Sequence, residues 1–379
     1  MIAKGMTRMA LPQFFIAGVP KAGTTGLYAA LVRHPQLYLP SVKEPKFFLS
    51  DGRPPRHGGP GDVQTYQEHI WRRADYEALF DAAPADALRG EATPFYLYDR
   101  DAHQRIRRLV PDAKFILVLR DPVDRAYSNW SHLWSAGLEK ESDFLAACDR
   151  EQRRHTEGWA DFWHYLGLGL YGGQVRDLQG AFGRDQLLVM RYRDLRDEPI
   201  TTLDRVCRFL GVATGVIHDV PPENVRAYVA DSPLNAVVRF ALRNGARVGQ
   251  HFPAAARGAA SGPLLALLHR SRQGYRNDSG RRRPRLTPEQ RAQLVPYFAE
   301  DIRLLESVTG NSYADWLTEH HLTTVDATAS RDGDRLTVDT PGAATHGTIT
   351  HGAITHSAVT RGAATPGAVG RRTPGTGTQ

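Results

Sequence analysis

The chain reads as an α/β fold: a P-loop-like, mostly parallel β-sheet flanked by helices in a single domain, followed by a disordered C-terminal tail. Three observations carry that expectation. Short apolar runs at Phe14–Val19, Lys114–Arg120 and Gln186–Arg191 have the near-continuous hydrophobicity of buried parallel strands. Helical periods alternate with them, the pattern of βαβ units. Between the first strand and the first helix stands a glycine turn, Pro20-Lys21-Ala22-Gly23-Thr24-Thr25-Gly26. Such a turn leaves backbone N–H groups unpaired at a helix N-terminus, where the helix dipole also favours negative charge. It predicts a phosphate cradle.

Gly18-x4-Gly23-Thr24-Thr25 has the glycine frame of a Walker A loop, with Thr24 where the Walker lysine would stand. Lys21, inside the turn, supplies the cation. A nucleotide is expected there; an ordinary βα turn with an exposed lysine is the alternative. The helix runs over Leu27–Arg33 and stops at Pro35. Gln36–Pro40 is a short second strand leading into Ser41–Phe48, where Glu44 sits between Lys43 and Lys46. A carboxylate beside cations stays ionised at neutral pH and can take a proton from an acceptor hydroxyl. A solvated Lys–Glu pair at a loop edge is the competing reading. Asp51–Gly61 reads as a mobile surface loop, and Tyr66–Phe80 as a helix with Tyr76, Leu79 and Phe80 on one face. Arg89–Leu97 is a strand end and turn, in which Glu91 and Thr93 either line a pocket or cap a helix.

Ala102–Leu109 reads as a basic helix. Asp121 ends the Lys114–Arg120 strand and caps the helix Val123–Ser135, with Pro122 in its first turn. Arg120 and Ser128 fall where ligands bind in open α/β sheets; an ion pair of Arg120 with Asp121 or Asp124 competes. Helices over Phe144–Arg154 and Gly173–Phe182 flank the Gly-broken stretch Tyr165–Tyr171, and an amphipathic helix over Pro199–Leu210 ends at Gly211. Ala236–Arg291 holds twelve Arg against Asp278 and Glu289. It reads as a basic lid or loop region, densest at Gly280–Pro284: a solvated face, a nucleic-acid patch or a phosphate clamp. Thr287-Pro288-Glu289-Gln290 opens a helix to about Ser307, with Leu294, Phe298, Ile302 and Leu305 as its apolar stripe. Tyr313–Leu317 closes the folded part. From Thr340 a five-residue unit recurs (TPGAA, THGTI, THGAI, THSAV, TRGAA, TPGAV) with almost no large apolar side chains. Such a composition cannot offset its ordering entropy, so Asp326–Gln379 reads as disordered.

Composition sets the outer bounds. With 379 residues and 41% hydrophobic content the chain can bury a sizeable core. Lys+Arg 48 against Asp+Glu 41 gives +7, a mild basic excess that suits an anionic ligand. Two cysteines, Cys148 and Cys207, read as buried thiols in a reducing compartment rather than a disulfide framework. Neither a signal peptide nor a run of transmembrane length is apparent, which makes a cytoplasmic location the expectation.

Three stretches, PKAGTTGLYAALVRHP, LRDPVDRAYSNWSHLW and GRRRPRLTPEQ, resemble in that order the two phosphosulfate-binding motifs and the late cofactor loop of sulfotransferases. These enzymes use 3′-phosphoadenosine-5′-phosphosulfate (PAPS). KEPKFFLSD and GEATPFYLYD are similar to the acceptor-side loops of the heparan sulfate sulfotransferase-like branch, and the likeness spans residues 12 to 318. The resemblance implies PAPS as donor, with no metal. It implies that Lys21 contacts the leaving phosphate oxygen and that Ala22, Gly23, Thr24 and Thr25 hold the 5′-phosphate. Arg120 and Ser128 would hold the 3′-phosphate, Gly280, Arg281, Arg282 and Arg283 would close over the nucleotide, and Tyr275 would pack on the adenine. Glu44 matches the catalytic base, with Lys43, Lys46, Glu91 and Thr93 on the acceptor side. Lys46 departs from the neutral or His residue often found there.

The implied organisation is an N-terminal extension (1–11), a sulfotransferase domain (12–320, with the basic region 236–291) and a repeat tail (321–379). The expected activity is O-sulfation of a small-molecule, lipid or glycan hydroxyl, with no nucleic-acid partner. A P-loop kinase or NTPase, and a non-enzymatic basic protein that binds nucleic acid or membrane, are the alternatives.

Overall fold

Strand β1 (Phe14–Gly18) is buried at every residue, as its apolar run predicts. The computed structural model describes residues 11–54, 56–62, 69–221 and 286–318. Tyr275, Gly280, Arg281, Arg282 and Arg283, the basic region up to residue 285, the tail and nearly all of the N-terminal extension lie outside the described residues. After β1 come α1 (Thr24–Leu31), β2 (Leu37–Tyr38), α2 (Arg73–Glu77), β3 (Leu88–Ala92), α3 (Arg100–Leu109), β4 (Lys114–Leu119) and α4 (Pro122–Ser135). Then follow α5 (Phe144–Asp149), α6 (Glu151–Thr156), α7 (Tyr171–Phe182), β5 (Leu187–Arg191), α8 (Tyr192–Asp197) and α9 (Pro199–Leu210). Among the described residues α10 (Pro288–Thr309) is the last α-helix.

The five strands form one parallel sheet in the order β2-β3-β1-β4-β5. The chain fills the β3 side of β1 first and then crosses to the β4 side. The strand order therefore reverses at β1, and in open α/β sheets ligands bind beyond the strand C-termini at that point. β1 and β4 are shielded on both faces, which is why neither shows an alternating pattern. On one face Phe15 packs edge-on to Phe48 and Tyr96 and stacks on Phe115.

Gly90 lies opposite Phe14 in the β3–β1 register. A Cβ there would meet the Phe14 ring at 2.1 Å, and that ring is wholly buried. Gly90→Ala should therefore destabilise the protein by about 1–3 kcal/mol through overpacking. A fall in the urea unfolding midpoint at unchanged slope is the expected readout.

The helix ends follow the sequence closely. The Asp121 carboxylate accepts from the Val123 and Asp124 amides, both at 2.9 Å, with Pro122 at the start of α4. Thr287 and Gln290 form the reciprocal capping box expected at the start of α10. Leu294, Phe298, Ile302 and Leu305 are all buried, and α9 ends at Gly211 as expected. Cys148 and Cys207 are buried free thiols. No helix among the described residues is long and apolar enough to cross a membrane.

Two expectations are corrected. The Tyr66–Phe80 helix reduces, within the described residues, to α2 and a 3-10 turn at Ala78–Phe80. Its apolar spacing reports a corner that inserts Tyr76 and Phe80 into the aromatic cluster, with Tyr76 stacked 4.3 Å from Phe47. Phe144–Arg154 is two helices that meet at Arg150. The described part of Asp51–Gly61 is a largely exposed loop, as expected, and it is fastened at its end, because buried Asp62 accepts from the Gly59 and Ala160 amides and from Trp163 Nε1.

Candidate active site

The glycine turn is built by its backbone. Gly23 (φ +85°) is the N-cap of α1, so the helix starts at Thr24, three residues earlier than the apolar periodicity suggests. No side chain caps it, and the first N–H groups of an α-helix have no intrahelical partner. The Gly23–Thr25 segment is thus a ready anion site, whereas the Ala22 amide is engaged by the Val19 carbonyl at 3.3 Å. Thr24 is buried and Thr25 exposed. Lys21 is also left-handed (φ +71°), a conformation that costs a non-glycine residue about 1–2 kcal/mol. Its Nζ lies 3.4 Å from His132 Nδ1.

Arg120 follows β4, which pairs with β1, so its guanidinium reaches the same turn: Nη1 donates to the Lys21 carbonyl at 3.2 Å. The guanidinium also stands 5.2 Å from the centre of the Tyr192 ring, and Tyr171 Oη donates to the Arg120 carbonyl at 2.9 Å. The competing ion pair does not form. Asp121 Oδ2 accepts from Arg291 Nη1 at 2.9 Å, and Asp124 binds the other arm of the same guanidinium. Burial and the Asp124 charge push the Asp121 carboxyl up, and Arg291 holds it back. Ser128 is half-buried on α4, one turn before His132; residues four apart share a helix face.

The second group of residues hangs on β3. The Glu44 amide donates to the Ala92 carbonyl at 3.0 Å, which fixes the Glu44 loop at the C-terminal edge of β3, next to β1. Glu44 (φ +60°) and Lys46 (φ +58°) are both left-handed. The Glu44 carboxylate pairs with Lys43 Nζ at 2.6 Å, with the two side chains 29% and 20% exposed. Ile70 N bonds to the Pro45 carbonyl, and burial, with Lys46 and His57 nearby, pushes the His69 imidazole down to about 3.

Glu91 and Thr93, expected on the acceptor side, are fully buried and lie behind the Glu44 loop. Glu91 caps no helix; its carboxylate accepts three hydroxyls, from Tyr76 (2.6 Å), Tyr96 (2.9 Å) and Thr93 (2.8 Å). Burial pushes it up to about 7; the three hydroxyls oppose that and the Glu44 charge adds to it.

The structure thus brings Lys21, Gly23, Thr24, Thr25, Arg120, Ser128 and the Glu44 loop to one edge of the sheet, around the switch point. It adds His132, Tyr192 and Arg291, to which the sequence reading gave no role. His132 had a signal, since it lies one turn after Ser128. No acidic or His/Cys cluster suited to a metal occurs among the described residues.

A parallel sheet with an uncapped helix and a lysine-bearing glycine turn at its switch point defines an α/β protein with an edge suited to an anion. The model of the sulfotransferase family matches residues 12–215, more than half of the chain, and the chain belongs to that family. It is 32% identical over 210 residues to human bifunctional heparan sulfate N-deacetylase/N-sulfotransferase 3, covering 53% of this chain and 22% of that protein. It is 30% identical over 203 residues to mouse heparan sulfate glucosamine 3-O-sulfotransferase 3B1, covering 53% and 46%. The chain thus spans less than half the length of these relatives. A crystal structure of a sulfotransferase from Alicyclobacillus acidocaldarius superposes with a TM-score of 0.61 at 28% identity, over 81% of this chain and 99% of the other.

Proposed function

We propose that this sulfotransferase moves a sulfuryl group from PAPS to the hydroxyl of a small-molecule, lipid or glycan acceptor. The observation that carries the proposal is the join between Lys21 and Arg120: one hydrogen bond fixes the arginine to the turn that presents the lysine. Two cations and an uncapped helix start suit a donor that carries separate 5′ and 3′ phosphates. When bound, PAPS supplies the sulfuryl group, whose bond to the 5′-phosphate oxygen breaks as the acceptor oxygen bonds to sulfur.

The chain's own residues handle the charge and the proton. Lys21 sets a positive charge at the turn, where the departing phosphate gains negative charge, and the Gly23–Thr25 amides add theirs. Glu44 takes the proton from the acceptor hydroxyl, with Lys43 against the carboxylate. Arg120 and Ser128 hold the 3′-phosphate, and the Tyr192 ring backs the guanidinium. Lys43 and Lys46 face the acceptor side, which favours an anionic acceptor. The matched relatives named for heparan sulfate make glycans the first acceptors to assay.

A magnesium-dependent kinase would call on Asp121, the carboxylate beside the β4 end. Both of its oxygens are engaged already, by two helix amides and by Arg291. The test is calorimetric titration with 3′-phosphoadenosine-5′-phosphate and, separately, with ATP plus magnesium. Metal-independent binding of the 3′-phosphorylated nucleotide is expected, weakened about 10–100-fold in Arg120→Ala, the loss of a charged hydrogen-bond partner. Preference for ATP with magnesium would move the assignment to phosphoryl transfer.

A further inference from the structure

The transfer step as derived makes no use of Glu91, although this carboxylate is wholly buried directly behind the Glu44 loop. Its three hydroxyl partners are not equivalent. Tyr76 only donates its proton to Glu91 and stacks on Phe47. Thr93 and Tyr96 each donate to Glu91 and also accept an amide of the loop: Lys46 N at 3.3 Å from Thr93 Oγ1, and Phe48 N at 3.3 Å from Tyr96 Oη.

Above about pH 7 Glu91 is ionised, and an ionised carboxylate can only accept. It therefore turns both hydroxyl protons inward and both sets of lone pairs toward the loop. The two amides so captured hold the Lys46 end of a turn that is left-handed at both Glu44 and Lys46, while the Glu44 amide is held by the Ala92 carbonyl, and such backbone persists only where its surroundings hold it.

We infer that Glu91 is a positioning residue for the catalytic base: through the Thr93 and Tyr96 hydroxyls it holds the turn that aims Glu44. The inference rests on the sulfuryl-transfer reading. Its discriminating feature is polarity rather than volume. In Glu91→Gln the side chain has nearly the same shape, but one position becomes an NH2 donor. The amide oxygen stays with the two tyrosines, which both bond to Oε1, and the NH2 group then faces Thr93. Thr93 must now accept from position 91, and its own proton, displaced from Glu91, competes with the Lys46 amide for the positions left on Oγ1. The Lys46 bond is weakened while the Phe48 bond stays.

The test uses the full chain and residue-level amide hydrogen exchange in wild type, Glu91→Gln, Thr93→Val and Thr93→Ser. Titration with 3′-phosphoadenosine-5′-phosphate and release of sulfate from PAPS into water are measured alongside, so no acceptor need be known. In Glu91→Gln and Thr93→Val the Lys46 amide should exchange about tenfold faster or more, with Phe48 little changed. Nucleotide affinity should hold, while sulfate release falls about 10–100-fold as the base loses its aim. Thr93→Ser, which keeps the hydroxyl, should restore both readouts. An unchanged Lys46 amide in Glu91→Gln, or a loosened turn with undiminished sulfate release, overturns the inference. So does a parallel loss of nucleotide affinity, which would mark Glu91 as a general core residue. If wild type itself neither binds the nucleotide nor releases sulfate, the functional reading fails first, and the exchange data still report whether Glu91 holds the turn.

Discussion

Lys21→Ala is expected to lower sulfuryl transfer by about a thousandfold while leaving the fold in place, because a preorganised positive group at developing charge is worth about two to three orders of magnitude. The side chain is carried by a backbone that is already left-handed (φ +71°), and alanine meets the same conformational cost there as lysine. The turn does not relax, and the uncapped start of α1 remains where it was. What disappears is the ammonium group beside His132. Lys21→Arg should rescue poorly, since a planar fork does not reproduce a compact point charge. Turnover, nucleotide titration and thermal unfolding together separate chemistry from folding. Near wild-type turnover in Lys21→Ala would sink the mechanism.

Arg291→Met should cost about 3–5 kcal/mol of stability at neutral pH, the range for stripping one partner from a buried ion pair. Arg291 is 5% exposed and serves both Asp121 and Asp124. The loss should depend on pH with a definite sign. The folded-state pKa of Asp121 is raised by burial and by Asp124, so its contribution is favourable below its unfolded value and is lost as pH rises through the folded one. Removing Arg291 takes away a lowering influence and pushes that value higher. The deficit should therefore be largest at pH 7 and shrink toward pH 4, as the carboxyl takes up its proton. Chemical denaturation across that range decides the matter. A deficit that is constant or grows in acid would contradict the assignment of Asp121 as the uncompensated charge.

Much of the fold was legible because the signals were local. The apolar runs of β1 and β4, the Asp121-Pro122 helix start, the Thr287–Gln290 capping box and the Gly211 stop each depend on a few adjacent residues. The glycine turn was legible for the same reason. What could not be read are features fixed by distant partners. Arg291 on a helix looks like a solvated side chain until Asp121 and Asp124 are seen beside it. Glu44 and Lys46 adopt left-handed backbone without glycine, which no composition announces. Glu91 looked like a pocket residue because its burial depends on Tyr76 and Tyr96 closing around it. The aromatic spacing of Tyr76–Phe80 imitated a long helix, since a corner inserted into a core also repeats its apolar residues every few positions.

The Asp121–Arg291 bridge also sets an order of events at birth. The acid pair leaves the ribosome 170 residues ahead of its counter-ion, an interval of roughly 10–30 s at ordinary elongation rates. Throughout that interval the nascent chain holds β1 to β4 and the glycine turn but not the cation that pairs with the acids next to Arg120. Translation must pass the start of α10 before this edge reaches its final charge balance, so a truncated product lacking that helix would keep the glycine turn and the Arg120–Ser128 segment and still leave Asp121 and Asp124 without their counter-ion.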